Sequence, residues 1–127
     1  MIVDTSALLA VLFAEAHAPA IAAVLGVTQP LVMSTVNLCE VLVLAADRKA
    51  VSVAEVTELL MPFAIDYVAP DTLTTAVAAT ARLRLPLNFG DCFAYALAKT
   101  RNEPLLTLDS DFARTDAALV PLGNETS

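Results

Sequence analysis

A three-layer α/β fold around a mainly parallel sheet of four to five strands is predicted by three features of the chain. Short apolar runs alternate with longer helical stretches, turn and capping residues separate them, and acidic residues stand where the apolar runs end. Strands separated by helices need crossover connections, which make neighbouring strands parallel and place helices on both faces of the sheet. A chain of 127 residues suits one domain with one core. That domain is read as residues 1–122, with 123–127 as a loose tail.

The elements follow in order. Met1 to Asp4 is a first strand, and Thr5 or Ser6 caps a helix running from Ala7 to Glu15. A second helix covers Pro19 to Leu25, and the turn from Gly26 to Pro30 leads into a strand at Leu31 to Met33. Ser34 or Thr35 caps a long helix reaching about Lys49. It is apolar almost all round, through Val36, Leu38, Val41, Leu42, Val43 and Leu44, so it is expected to be central and buried. Ser52-Val53-Ala54-Glu55 has the capping-box pattern and starts a helix to about Met61. A third strand is read at 64–68, and Asp71 opens a helix that stops before Pro86. Asn88 to Thr100 is the next helix, Pro104 to Leu108 the fourth strand, and Ala118 to Val120 a weak final strand.

Composition narrows the function classes. With 57% hydrophobic and 17% charged residues the chain buries a core easily and is not disordered. The charge-free stretch from Ala16 to Cys39 is long enough to suggest a membrane span, but His17, Pro19, Asn37 and the Gly26–Pro30 turn break it. No basic leader precedes the first apolar residues, so the expected compartment is the cytoplasm. Cys39 and Cys92 lack the paired spacing of zinc sites and are expected to be buried free thiols. A net charge of −7 argues against an ordinary basic nucleic-acid binder. It leaves open an enzyme that meets a polyanion through a metal ion and a few arginines.

The acids carry the most information. Asp4 ends the first strand and Asp109 ends the fourth, while Glu40 and Asp91 lie on helices that begin at the same rim of the sheet. Ligands gather outside the carboxyl ends of strands in open α/β sheets, so four segments deliver carboxylates to one place. Each acid has a plainer reading. Asp4 can cap a helix, Glu40 can join a structural ion pair, Asp91 suits any helix N-terminus, and Asp109 and Asp111 can form a turn. A buried carboxylate is costly unless it is paired or holds a metal, and this chain has few cations. Clustered carboxylates suit Mg²⁺ or Mn²⁺, and such ions favour phosphodiester hydrolysis.

Four segments also resemble a known family. Met1-Ile-Val-Asp4-Thr5-Ser6, Ser34-Thr-Val-Asn37-Leu-Cys-Glu40-Val, Leu87-Asn88-Phe-Gly-Asp91-Cys-Phe-Ala-Tyr95-Ala and Leu105-Leu-Thr107-Leu-Asp109-Ser-Asp111-Phe112 resemble the motifs of PIN-domain ribonucleases, above all the toxin branch of VapBC toxin–antitoxin modules. The resemblance spans nearly the whole chain. It implies a PIN-like fold, Mg²⁺-dependent endoribonuclease activity with Mn²⁺ as substitute, and inhibition of translation by cutting RNA. It also implies a homodimer and a cognate VapB-type antitoxin. By motif, Asp4, Glu40 and Asp91 carry over as metal-binding and catalytic acids. The fourth acid is Asp109, with Asp111 as second choice. Ser6 and Thr107 match positions that line the site, with local capping as their alternative.

Two other functions stay open beside this one. A catalytically silent protein with the same fold would bind an antitoxin or RNA, and the presence of all four acids speaks against it. An Mg²⁺-dependent phosphatase or phospho-acceptor domain would want an Asp pair at the first strand and an activating Lys, and here that strand offers only Asp4. The RNA contacts are expected to be few. Arg82, Arg84, Lys99 and Arg101 lie near the third motif, Lys99 roughly on the helix face of Asp91, and Arg48, Lys49 and Arg114 lie elsewhere. Tyr95 is read as a packing residue and His17 as a surface one. Leu9, Leu12 and Phe13 are expected to leave an apolar patch on the first helix for a protein partner.

Overall fold

The computed structural model describes residues 1–122, so the tail expected at 123–127 lies outside the described residues. Among them, strands β1 (Ile2–Val3), β2 (Val32–Ser34), β3 (Asp66–Val68) and β4 (Leu105–Leu106) form one sheet in the order β3-β2-β1-β4, every pair parallel. Ile2 stands opposite Val32 on one side and Leu105 on the other. The weak final strand is reduced to a parallel bridge between Leu105 and Leu119. The Leu105 N–H donates to the Ala118 carbonyl at 2.8 Å, and the Val120 N–H donates to the Leu105 carbonyl at 2.9 Å.

The two-residue period of a strand divides the core. Val3, Met33 and Leu106 face the cluster under α1 (Thr5–Leu12), α2 (Ala18–Val27), α3 (Thr35–Lys49) and α4 (Val53–Leu60). Ile2, Val32 and Leu105 face the opposite cluster under α5 (Thr72–Arg84) and α6 (Phe89–Arg101). The result is the expected three-layer arrangement. The chain moves from β1 outward to β3 and then returns to the other side of β1 as β4, so the strand order switches between β1 and β4. In open α/β sheets such a switch point, outside the carboxyl ends of the two strands, is where a ligand crevice is expected.

Capping follows the sequence closely except at α1. Ser34 accepts from the Val36 N–H at 3.2 Å, Ser52 from Glu55 at 3.1 Å, Asp71 from Thr74 at 2.8 Å and Asn88 from Asp91 at 2.9 Å. At α1 neither Thr5 nor Ser6 is the cap. Asp4 takes that backbone position without a side-chain capping bond, because its carboxylate is engaged elsewhere.

Three expectations about burial are corrected. Helix α3 is not central: Asn37, Val41 and Ala45 are buried, while Val43 is 58% and Leu44 38% exposed. A helix in an outer layer covers the core with one stripe only, so apolar residues around its whole circumference leave some in water. Cys39 lies on that outer side and is exposed, whereas Cys92 is buried as expected. The apolar patch on α1 is smaller than expected, since Leu9 is buried and Leu12 and Phe13 are partly buried against the core. No helix among the described residues is long and apolar enough to cross a membrane.

Candidate active site

The crevice at the strand-order switch is lined first by Asp4, immediately after β1, whose side chain is buried. Its Oδ2 accepts from the Thr107 hydroxyl at 2.7 Å and the Ser6 hydroxyl at 2.9 Å. Those hydroxyls are themselves fixed from the backbone: Ser6 accepts from the Leu108 N–H at 2.9 Å and Thr107 from the Asp109 N–H at 3.0 Å. The carboxylate therefore has one defined orientation, and its Oδ1 is left buried with no partner. Burial raises the Asp4 pKa, the hydroxyls of Thr107 and Ser6 and a backbone bond at Thr5 oppose the rise, and the charge of Glu40 adds to it.

Glu40 arrives from α3, one helix over. Its Oε1 accepts from the Thr5 hydroxyl at 2.8 Å and from Asn37 Nδ2 at 3.0 Å. The same Asn37 amide donates to the Gly90 carbonyl at 3.0 Å, so a fully buried residue ties α3 to the first turn of α6. Gly90 has a steric reason. A Cβ there would overlap the Glu40 carboxylate, so only glycine lets the acid reach the crevice. Thr5, Asn37 and Gly90 were not singled out as site residues from sequence. Asn37 had a visible signal in its position three residues before Glu40 on one helix face.

Asp91 completes the approach from α6. It is buried, its Oδ2 lacks a partner, and its pKa is pushed up to about 8. Burial is the largest cause, followed by the Asp109 carboxyl, to which Asp91 can hydrogen-bond only when one of the two is protonated, then the charges of Asp4, Asp109 and Glu40. Asp4, Glu40, Asp91 and Asp109 are thus one electrostatic cluster. Asp109 also accepts from the Asp111 N–H at 2.9 Å and caps the 3₁₀ turn Ser110–Arg114. The Asp111 carboxylate is not among the groups acting on Asp91 or Asp4. Asp109, whose carboxyl acts on Asp91, stays the favoured fourth acid, with Asp111 the second choice.

Among the described residues no cation pairs with this cluster. Lys99, read as facing Asp91, instead pairs with Asp116 at 3.1 Å, and the Tyr95 hydroxyl donates to the same carboxylate. His17 stands at the start of α2, a helix that carries none of the four acids. The donor set suits a hard divalent ion: all its atoms are oxygen, and Asp4 Oδ1 and Asp91 Oδ2 are buried and unsatisfied. Among the described residues no three acidic, His or Cys side chains are drawn together tightly enough to enclose an ion alone. An ion such as Mg²⁺ needs no such enclosure, since it keeps several waters and takes only one or two carboxylates.

Comparison with known proteins agrees with this geometry. The model of the PIN domain family matches residues 1–118. Ribonuclease VapC30 of Mycobacterium tuberculosis is 38% identical, over 96% of this chain and 99% of its own length. Ribonuclease VapC36 of the same species is 34% identical, over 91% and 90%. Among solved structures, M. tuberculosis VapC20, a sarcin–ricin loop cleaving toxin, superposes with a TM-score of 0.77 at 18% identity, covering 94% of this chain and 97% of that one. A toxin–antitoxin complex from Klebsiella pneumoniae gives 0.75 at 18% identity, covering 94% and 96%. With its fold, its motifs and its full-length relatives in agreement, the chain belongs to the PIN-domain family, in the VapC branch.

Proposed function

We propose that this chain is a Mg²⁺-dependent endoribonuclease, with Mn²⁺ as a substitute, and the toxin of a type II toxin–antitoxin system that stops translation by cutting RNA. The observation that carries the reading is the pair of buried carboxylate oxygens, Asp4 Oδ1 and Asp91 Oδ2, left without partners in a cluster that no Lys or Arg of the described residues pairs with. Unsatisfied buried oxygens cost free energy, and a ligand that binds there recovers it. Asp4, Asp91 and Asp109 would hold the ion, with Glu40 acting directly or through water. When bound, the ion supplies positive charge toward the phosphodiester and toward the attacking water. The chain's own part is orientation: Ser6 and Thr107 fix Asp4, and Thr5 and Asn37 fix Glu40. Asp91 must also give up its proton for the site to close on a cation.

The protein partners would be a cognate VapB-type antitoxin and a second copy of the chain. VapBC assemblies among the structural relatives support the first, and the exposed apolar side of α3, with Val43 and Leu44 beside Cys39, supports a protein contact. The test of the enzymatic reading is cleavage of RNA by the purified chain with Mg²⁺ or Mn²⁺, beside Asp4→Asn and Asp91→Asn. The expected result is cleavage by the wild type and a loss of roughly 100-fold or more in each variant. Equal cleavage by all three proteins would mark the activity as a contaminant and leave a catalytically silent PIN-like protein as the reading.

A further inference from the structure

Four of the seven cations are engaged away from the acidic crevice. Lys99 pairs with Asp116 and Arg101 with Glu103 at 2.9 Å, while Arg48 and Lys49 lie over the Phe13 ring, 4.9 and 5.4 Å from its centroid. Arg82, Arg84 and Arg114 form no ion pair with any described residue. Arg82 has a distinctive setting. With Leu83, Phe89 and Phe93 it lines an apolar cleft of about 360 Å³ between α5 and α6. The link from Leu85 to Asn88 joins the end of α5 to the start of α6, so this cleft opens beside the turn that carries Asp91. The Arg82 charge is felt at Cys92, the next residue along.

Phe89 is the unexplained member. At the first position of α6 it leaves 66% of its surface in water, although nothing in helix initiation asks for an aromatic ring there. The ring is nevertheless held: it packs edge-on against Phe93, with centroids 5.2 Å apart and planes at 63°. A held ring beside an unpaired guanidinium matches what a single-stranded nucleic acid needs, a face for a base and a charge for a phosphate. The exposed apolar side of α3 has no cation among its lining residues and suits a protein instead.

We infer that Phe89 and Arg82 form a nucleotide subsite remote from the cut bond, in which an unpaired base of the bound strand stacks on Phe89 and an adjacent phosphate meets Arg82. The inference rests on the ribonuclease reading for its substrate. Side chains two apart on a helix diverge by about 200°, so Phe89 faces away from Asp91 across the helix start. The subsite therefore lies across the start of α6 from the acids and holds a nucleotide at some distance along the strand from the reacting phosphate.

The experiment uses a short single-stranded RNA of mixed sequence carrying a fluorescent purine analogue, with wild type, Phe89→Ala, Phe89→Trp and Arg82→Ala. In EDTA, wild type and Phe89→Trp are expected to quench the analogue by stacking and Phe89→Ala is not. With Mg²⁺, Phe89→Ala is expected to raise KM roughly tenfold with kcat within about twofold, and Phe89→Trp to restore KM. Arg82→Ala is expected to lower the salt slope of binding by about 0.7, the share of one phosphate on a single strand. Cleavage by Phe89→Ala with unchanged KM and quenching overturns the subsite and leaves the ribonuclease reading standing. Stacking in EDTA with no cleavage under Mg²⁺ supports the subsite while the ribonuclease reading fails. If wild type neither stacks nor cleaves, both fall. A change in molar mass by light scattering for Phe89→Ala, with RNA binding unaltered, would make the cleft a protein contact and overturn the subsite.

Discussion

Asp91 gives the site a proton to lose. Its pKa in the folded, metal-free chain is about 8, against 3.8 for an ordinary Asp, so between those values the folded chain holds a proton that the unfolded chain has released. Stability from this group is complete below about pH 4 and is lost as pH rises through 8. Asp91→Asn keeps the neutral shape and removes the titration. It is therefore expected to melt at a higher temperature than wild type at pH 8 in EDTA, with the difference closing toward pH 4; an equal gap at both pH values would contradict the assignment. The doublet Asp109 and Asp111 yields a second prediction. Asp109 is among the largest influences on Asp91, so Asp109→Asn is expected to lose roughly 10- to 100-fold in RNA cleavage and Asp111→Asn less than about threefold. The reverse order would move the fourth acid. Which segments approach one another was legible from sequence, because each acid sits at a strand end or early in a helix. The choice between Asp109 and Asp111 was not, since both follow β4 within a few residues. The exposure of Cys39 was likewise invisible, because composition reports that a helix is apolar and not which side meets the sheet.

Helix α3 and helix α6 meet at a glycine, and that contact sets where Glu40 can stand. Gly90→Ala is expected to leave α6 intact, since alanine is the better helix former, while its Cβ displaces the Glu40 carboxylate. RNA cleavage should fall roughly tenfold or more, as a misplacement of about 1 Å can cost up to 100-fold, and the melting temperature should change little. Unchanged cleavage would show that Glu40 does not need its observed position. Elements themselves were well marked in the sequence. Ser34, Ser52, Asp71 and Asn88 announce four helix starts and all four cap in the structure. Start signals read well because a side-chain oxygen must meet a specific N–H. The ends read less well: α3 stops at Ala50 in the left-handed region, φ 53°, where sequence offers no glycine to mark the stop. The final strand was weaker than a three-residue run suggested because only Leu119 pairs with β4.

The molecule as a whole carries a net charge of −7 and yet is assigned a polyanion as substrate. Its cations are unevenly placed. Arg48 and Lys49 close α3 and Lys99 and Arg101 close α6, where they complement the helix dipoles at the ends remote from the crevice. The arginines unpaired with described residues, Arg82, Arg84 and Arg114, lie at the end of α5 and in the turn after Asp109, near the acids. If only these meet phosphate, three contacts on a single strand give a slope of log affinity against log salt of about −2 in EDTA. Measured anisotropy of labelled single-stranded RNA over a salt series is expected to show this shallow dependence, together with tighter binding once Mg²⁺ or Ca²⁺ offsets the carboxylates. A slope near −5 in EDTA would mean that the distant cations also contact RNA, and the substrate path would then have to cross the far end of the sheet instead of the crevice between β1 and β4.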